Sequence, residues 1–125
     1  MTKTTTDPRR ATGKDGEDLA ANYVTGLGWT VLARNWRCRV GEIDLIARDD
    51  EGALVVCEVK TRRGLGFGDP LESITYAKVR RLRELTVEFL RECGETPGRV
   101  RLDAIGLLLD RDGNAKLSHV RGIDA

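Results

Sequence analysis

The stretch from Gly41 to Lys60, GEIDLIARDDEGALVVCEVK, constrains the fold more than any other part of the chain. Glu42-Ile43-Asp44-Leu45-Ile46 alternates acidic and aliphatic side chains, Asp49-Asp50-Glu51-Gly52 carries turn chemistry, and Leu54 to Lys60 is β-prone. A β-hairpin is the expected result. Side chains alternate across a strand, so Glu58 and Lys60 share one face and Val59 takes the other. An antiparallel partner can bring Asp44 up beside them, at the end of the hairpin away from the turn. Two carboxylates a few ångströms apart repel by about 4 kcal/mol at an effective dielectric of ~20, so the pair needs a counter-charge. Lys60 is one. A hard divalent cation is a better one, because Mg²⁺ selects carboxylate oxygens and keeps water positions open for a phosphate substrate.

The residues around the hairpin supply helices and further strands. Ala20, Ala21, Val24 and Leu27 form an apolar stripe at helical spacing, which predicts a helix from about Gly13 to Leu27 with Gly28 as its stop. Glu17 extends that stripe toward the helix start and so lies at the edge of the buried face. Read alone, it is an acid complementing the helix dipole, worth ~0.3–1 kcal/mol. Trp29 to about Asn35 reads as a first strand pairing with Glu42 to Ala47. The following connection carries Arg34, Arg37, Arg39 and Trp36, suited to phosphate contact and base stacking, although Trp36 serves equally well as a core residue. Glu42 shares the strand face of Asp44 and is a candidate accessory ligand or half of a surface charge pair.

Beyond Lys60, the run from Thr61 to Pro70 has alternating glycines. No Gly-Lys-Ser/Thr follows, which excludes a P-loop. A flexible lid or a substrate-tracking loop is expected there, with Phe67 at its tip and Glu72 beyond it as a cap acid or metal helper. Thr75 suits the N-cap of a second helix running to about Cys93, whose buried stripe is Val79, Leu82, Leu85, Thr86, Phe89, Leu90 and Cys93. Lys78 is expected on its core-facing side near the hairpin acids. Arg80, Arg81 and Arg83 read as a solvated surface. Arg99 to Leu109 and Ala115 to Val120 complete the strands, the latter at an edge. Asp103 is expected to pair with Arg101, and His119, remote in sequence from the acids, has no catalytic role.

Three phrases, Gly41-Glu42-Ile43-Asp44-Leu45-Ile46, Glu58-Val59-Lys60-Thr61-Arg62 and Arg101-Leu102-Asp103-Ala104-Ile105, resemble the YraN-like family of the PD-(D/E)XK nuclease superfamily, itself similar to archaeal Holliday-junction resolvases. The resemblance spans roughly residues 13 to 120. It implies a restriction-endonuclease-like α/β core, a mixed sheet flanked by helices in the order α-β-β-β-α-β-β. It also implies Glu17, Asp44, Glu58 and Lys60 as catalytic residues, with Mg²⁺ or Mn²⁺ held by Asp44, Glu58 and the Val59 carbonyl. Lys78 becomes a candidate phosphate or water contact. The implied activity is DNA endonucleolytic cleavage, on branched or junction DNA, and cutting two strands would suit a homodimer. A non-catalytic nucleic-acid-binding adaptor that keeps the fold is the alternative.

Composition sets outer bounds. A chain of 125 residues, 40% hydrophobic and 33% charged, can bury a core as one domain, expected at residues 13–125 behind a flexible tail at 1–12. Net charge of +1 says little about partners, but 16 of the 21 cations are Arg, whose planar fork suits phosphate oxygens. Arg37, Arg39, Arg62 and Arg63 are the expected nucleic-acid contacts. Cys38, Cys57 and Cys93 are too few and scattered for a zinc site or disulfide framework, and Cys57 reads as a buried thiol. No apolar run approaches a membrane span and nothing resembles a signal peptide, so a reducing cytoplasm is expected.

Overall fold

The computed structural model describes residues 13–64, 69–94, 96–112 and 114–124. The expected tail at 1–12 and Phe67 at the loop tip lie outside them. The chain runs α1 (Gly13–Gly26), β1 (Thr30–Cys38), β2 (Gly41–Arg48), β3 (Leu54–Arg63), a 3-10 turn (Pro70–Ser73), α2 (Tyr76–Cys93), β4 (Val100–Leu109) and β5 (Ala115–Val120). Five strands form one sheet in the order β1-β2-β3-β4-β5, antiparallel except for the β3–β4 pair. That parallel pair requires a crossover, which α2 supplies. The mixed sheet flanked by helices, in the order α-β-β-β-α-β-β, is the expected fold class.

The central strand is apolar because it is covered on both sides. Val55, Cys57 and Val59 pack with Ala20, Ala21 and Val24 of α1, whereas Leu54 and Val56 pack with Val79, Leu82, Leu85 and Phe89 of α2. Glu58 and Lys60 continue the row of Leu54 and Val56, so the charged end of β3 emerges where the apolar carpet of α2 runs out. Cys57 is fully buried, and burial pushes its thiol well above the usual range.

Helix α2 begins and ends where expected. The Thr75 hydroxyl accepts the Lys78 N–H at 3.2 Å, and Gly94 closes the helix in the left-handed region at φ 66°, donating its N–H to the Leu90 carbonyl. Two expected members of its environment are corrected. Cys93 is exposed rather than buried, and Lys78 is exposed rather than core-facing, because the buried stripe begins one residue later at Val79.

Helix α1 is one residue shorter than expected, and Leu27 lies past its end, 36% exposed. The terminal turn instead delivers Trp29 to the core, its N–H bonded to the Val24 carbonyl and its indole only 4% exposed. Near the start of α1, a Cβ at Gly16 would collide with the Thr61 hydroxyl of β3. The absence of a side chain there lets α1 lie close against the sheet, with Glu17 as the next residue.

Strand β1 is longer than expected. Beyond Asn35, where the strand was expected to end, pairing with β2 continues through Trp36↔Ile43, Arg37↔Glu42 and Cys38↔Gly41. Register shifts between Val31 and Ala33, a β-bulge in this pair.

Candidate active site

The β2–β3 ladder holds from Arg48↔Leu54 to Leu45↔Cys57 and then stops. One more step at that register would set Asp44 opposite Glu58. Instead, Asp44 Oδ2 accepts the Val59 N–H at 2.9 Å, while β2 continues beside β1. Ile43 belongs to the α2-side core and Leu45 to the α1-side core. Residues two apart normally share a face, so β2 rolls about its axis at Asp44 and opens a notch against β3. An extended residue presents its N–H and C=O on the same strand edge, which directs the Val59 carbonyl toward that notch as well.

Electrostatics mark Asp44 as the centre of the acids. Burial raises its pKa to about 7, helped by the hydrogen bond its protonated form makes to Glu58 and by the charges of Glu58 and Glu42, and opposed by the Val59 N–H. Glu17 is also raised, first by burial and then by the charge of Asp44, with Glu42 adding to the effect. A hydrogen bond from Asn35 and the charge of Arg34 work the other way. Lys78 is lowered by its hydrogen bond to Lys60 and by that ammonium's charge, while Glu58 opposes the shift. The structure therefore groups Glu17, Glu42, Asp44 and Glu58 around the notch, and sets Lys60 and Lys78 together beside Glu58.

Direct contact among the acids is the Asp44–Glu58 pair. Among the described residues, no group of three or more His, Cys, Asp or Glu forms a metal-sized cluster. Two carboxylates and a backbone carbonyl at Val59 nonetheless make a hard-oxygen donor set of the kind Mg²⁺ takes when water completes its shell. A cation would offset the burial and the neighbouring acid charges that raise the Asp44 pKa.

Several candidates do other work. Arg37 Nε lies 3.5 Å from Glu42 Oε1 across the β1–β2 pair, the charge pair weighed for Glu42 from sequence. Trp36 stands edge-on to Phe89 at 5.4 Å between ring centres, which makes it part of the α2-side core. Arg39, Arg62 and Arg63 are exposed, at the β1–β2 turn and the end of β3. Glu72 is exposed in the 3-10 turn. Of the arginines on α2 read as a solvated surface, Arg81 donates to the Val40 carbonyl at 3.1 Å and Arg83 to the Asp124 carbonyl at 3.3 Å, so both hold loops in place.

Asp103 is wholly buried, beside Cys57 in the β3–β4 register. It accepts from Arg101 Nε at 2.8 Å and from the Gly122 N–H, and it meets His119 Nε2 at 2.8 Å. Arg101 also reaches Asp49, and the other His119 nitrogen meets the Tyr23 hydroxyl at 2.9 Å. The expected Arg101–Asp103 pair is present, but the extended network was missed. Sequence reasoning also missed Asn35, whose one available signal was an Asn in a β-prone run, a residue type that tolerates left-handed backbone.

The described residues thus form a mixed α/β domain with paired carboxylates at an opening in its sheet and cations alongside. The chain belongs to the family described as "Uncharacterised protein family UPF0102", whose profile matches residues 16–107, in agreement with the YraN-like resemblance. It is 48% identical to a UPF0102 protein of Acidothermus cellulolyticus, over 94% of this chain and 96% of that one. Identity is 50% with a UPF0102 protein of Streptomyces coelicolor, over 92% and 89% of the two chains. Among solved structures it resembles that of an EndoMS–dsDNA2 complex, with a TM-score of 0.43 and 22% identity over 83% of this chain and 39% of that one. So distant a likeness carries no functional weight. No helix among the described residues is long and apolar enough to cross a membrane.

Proposed function

We propose that this protein is a metal-dependent DNA endonuclease that hydrolyses phosphodiester bonds, with branched or junction DNA as its substrate class and a homodimer as the form that cuts two strands. The observation that carries the reading is the half-buried Asp44–Glu58 pair, set in the notch with Lys60 two residues on along the same strand. Asp44, Glu58 and the Val59 carbonyl would hold Mg²⁺ or Mn²⁺, which when bound polarises the phosphodiester and lowers the pKa of water. Lys60 orients the attacking water and offsets charge developing on the phosphate, with Lys78 beside it as a second cation. Glu17 would fix an ion-bound water or a second ion. Arg62 and Arg63 lie where DNA leaving the notch along β3 would pass, and Arg39 tips the β1–β2 pair.

The test is cleavage of four-way, flapped and single-stranded DNA with Mg²⁺ and with Mn²⁺. Glu58→Gln keeps side-chain size while removing a charge, and Lys60→Ala removes the cation. Each should slow cutting at least ~100-fold, the scale for losing one preorganised electrostatic group, while binding is retained. Binding without cutting by the wild type, across all substrates and both metals, would favour the adaptor reading. Equal cutting by wild type and Glu58→Gln would refute this site.

A further inference from the structure

Asn35 is the one non-glycine residue with positive φ among the described residues, at 52°. It lies inside β1, between Arg34, paired with Leu45, and Trp36, paired with Ile43. Its counterpart at that register is Asp44, the first residue of β2 beyond the end of the β2–β3 ladder. Left-handed backbone crowds the Cβ of an L-residue, and Asn is among the few side chains that tolerate it. Such a conformation persists only where the surroundings impose it, and it concentrates at functional sites.

The surroundings here are specific. The Asn35 side-chain amide hydrogen-bonds the Glu17 carboxylate. Its neighbour Arg34 hydrogen-bonds Asp18, the residue after Glu17. Two consecutive residues of β1 therefore grip two consecutive residues of α1, at the point where β2 rolls to present Asp44. Arg34 ties the helix down by charge, and Asn35 sets the direction of the one acid that α1 contributes to the site.

We propose that Asn35 is a positioning residue for the acidic site: its left-handed backbone turns its amide onto Glu17 and fixes that carboxylate toward Asp44. This rests on the nuclease reading and adds to it a β1 residue that none of the motif phrases contains. If Asn35 served only the backbone bend, glycine would replace it without loss. If it positions Glu17, glycine keeps the bend and loses the function.

The experiment compares wild type with Asn35→Gly and Asn35→His. Glycine adopts the left-handed region freely, so Asn35→Gly should retain the fold, checked by its melting transition. In metal-free protein, carbon-13 NMR of the Glu17 carboxyl should show its titration moving upward in Asn35→Gly. The donor favouring the charged form is gone, leaving burial, Asp44 and Glu42 opposed by Arg34 alone. Under saturating DNA and Mg²⁺, kcat should fall roughly 10- to 100-fold, the scale for a hydrogen bond to a charged group, with DNA affinity little changed. Asn35→His, which tolerates left-handed backbone and can donate, should recover part of that loss. An unmoved Glu17 titration together with wild-type kcat in Asn35→Gly would overturn the proposal. If the wild type cuts no DNA at all, the nuclease reading fails and the Glu17 titration alone decides: an upward shift upholds the positioning contact, and no shift overturns it.

Discussion

Replacing Asp44 with Asn should stabilise the metal-free protein at pH 8 and have little effect near pH 4. The folded pKa of Asp44 is raised from 3.8 to about 7, by burial first and by Glu58 second. A carboxyl with a raised folded pKa binds its proton more tightly folded than unfolded, so its contribution to stability declines as pH climbs from about 4 to about 7 and is constant above. At ~1.4 kcal/mol per unit, a shift of roughly 3 units amounts to at most ~4 kcal/mol. Asn is nearly isosteric, keeps an oxygen for the Val59 N–H and offers an amide to Glu58, so it escapes this cost. For a chain of this size the gain corresponds to a melting temperature roughly 10–15 °C higher. Thermal melts of both proteins from pH 4 to pH 8.5, without and with Mg²⁺, test the reasoning. Saturating Mg²⁺ at a hundred times its dissociation constant should add ~2.7 kcal/mol to the wild type at pH 8 and little to Asp44→Asn, closing most of the gap. If Asp44→Asn melts no higher than wild type at pH 8, or by the same margin at pH 4, the strained acid pair is not there.

Gly16→Ala should destabilise the fold by ~1–3 kcal/mol, the usual cost of overpacking, and Thr61→Ala added to it should restore part of the loss in the same denaturant titration. Asp103→Ala strands Arg101 and His119 around a buried hole and should cost ~3–5 kcal/mol in chemical denaturation. Burial works against ionising Asp103, but hydrogen bonds from His119, Arg101 and the Gly122 N–H prevail, and its pKa is lowered. Its stabilisation is thus present above pH ~4 and lost as pH falls through the folded pKa, so Asp103→Asn should flatten the acid limb of a stability–pH curve. Arg62→Ala with Arg63→Ala should weaken DNA binding and lower the log–log salt slope by ~0.9 for each phosphate no longer neutralised, read by fluorescence anisotropy across salt concentrations.

Local chemistry was enough to place the elements wherever neighbouring residues are decisive. Thr75 and Gly94 bound α2 through cap geometry that needs only the adjoining turn, and the alternation in Gly41–Lys60 specified a hairpin with Asp44 and Glu58 toward its open end. The order of acids and Lys60 along the chain was equally legible, since strand parity puts Glu58 and Lys60 on one face whatever surrounds them. How β2 rolls at Asp44 is a property of the packed fold, because it depends on β1 pairing past the point where β3 lets go. The same holds for Asn35 against Glu17, and for Tyr23 bonded to His119 across 96 positions of sequence. Those contacts join side chains from separate elements, and their partners follow from how helix and sheet pack, which no local spacing records. Leu27 and Trp29 make the same point: periodicity assigned the apolar slot to Leu27, but the turn after α1 put the larger ring into the core and left leucine partly in solvent.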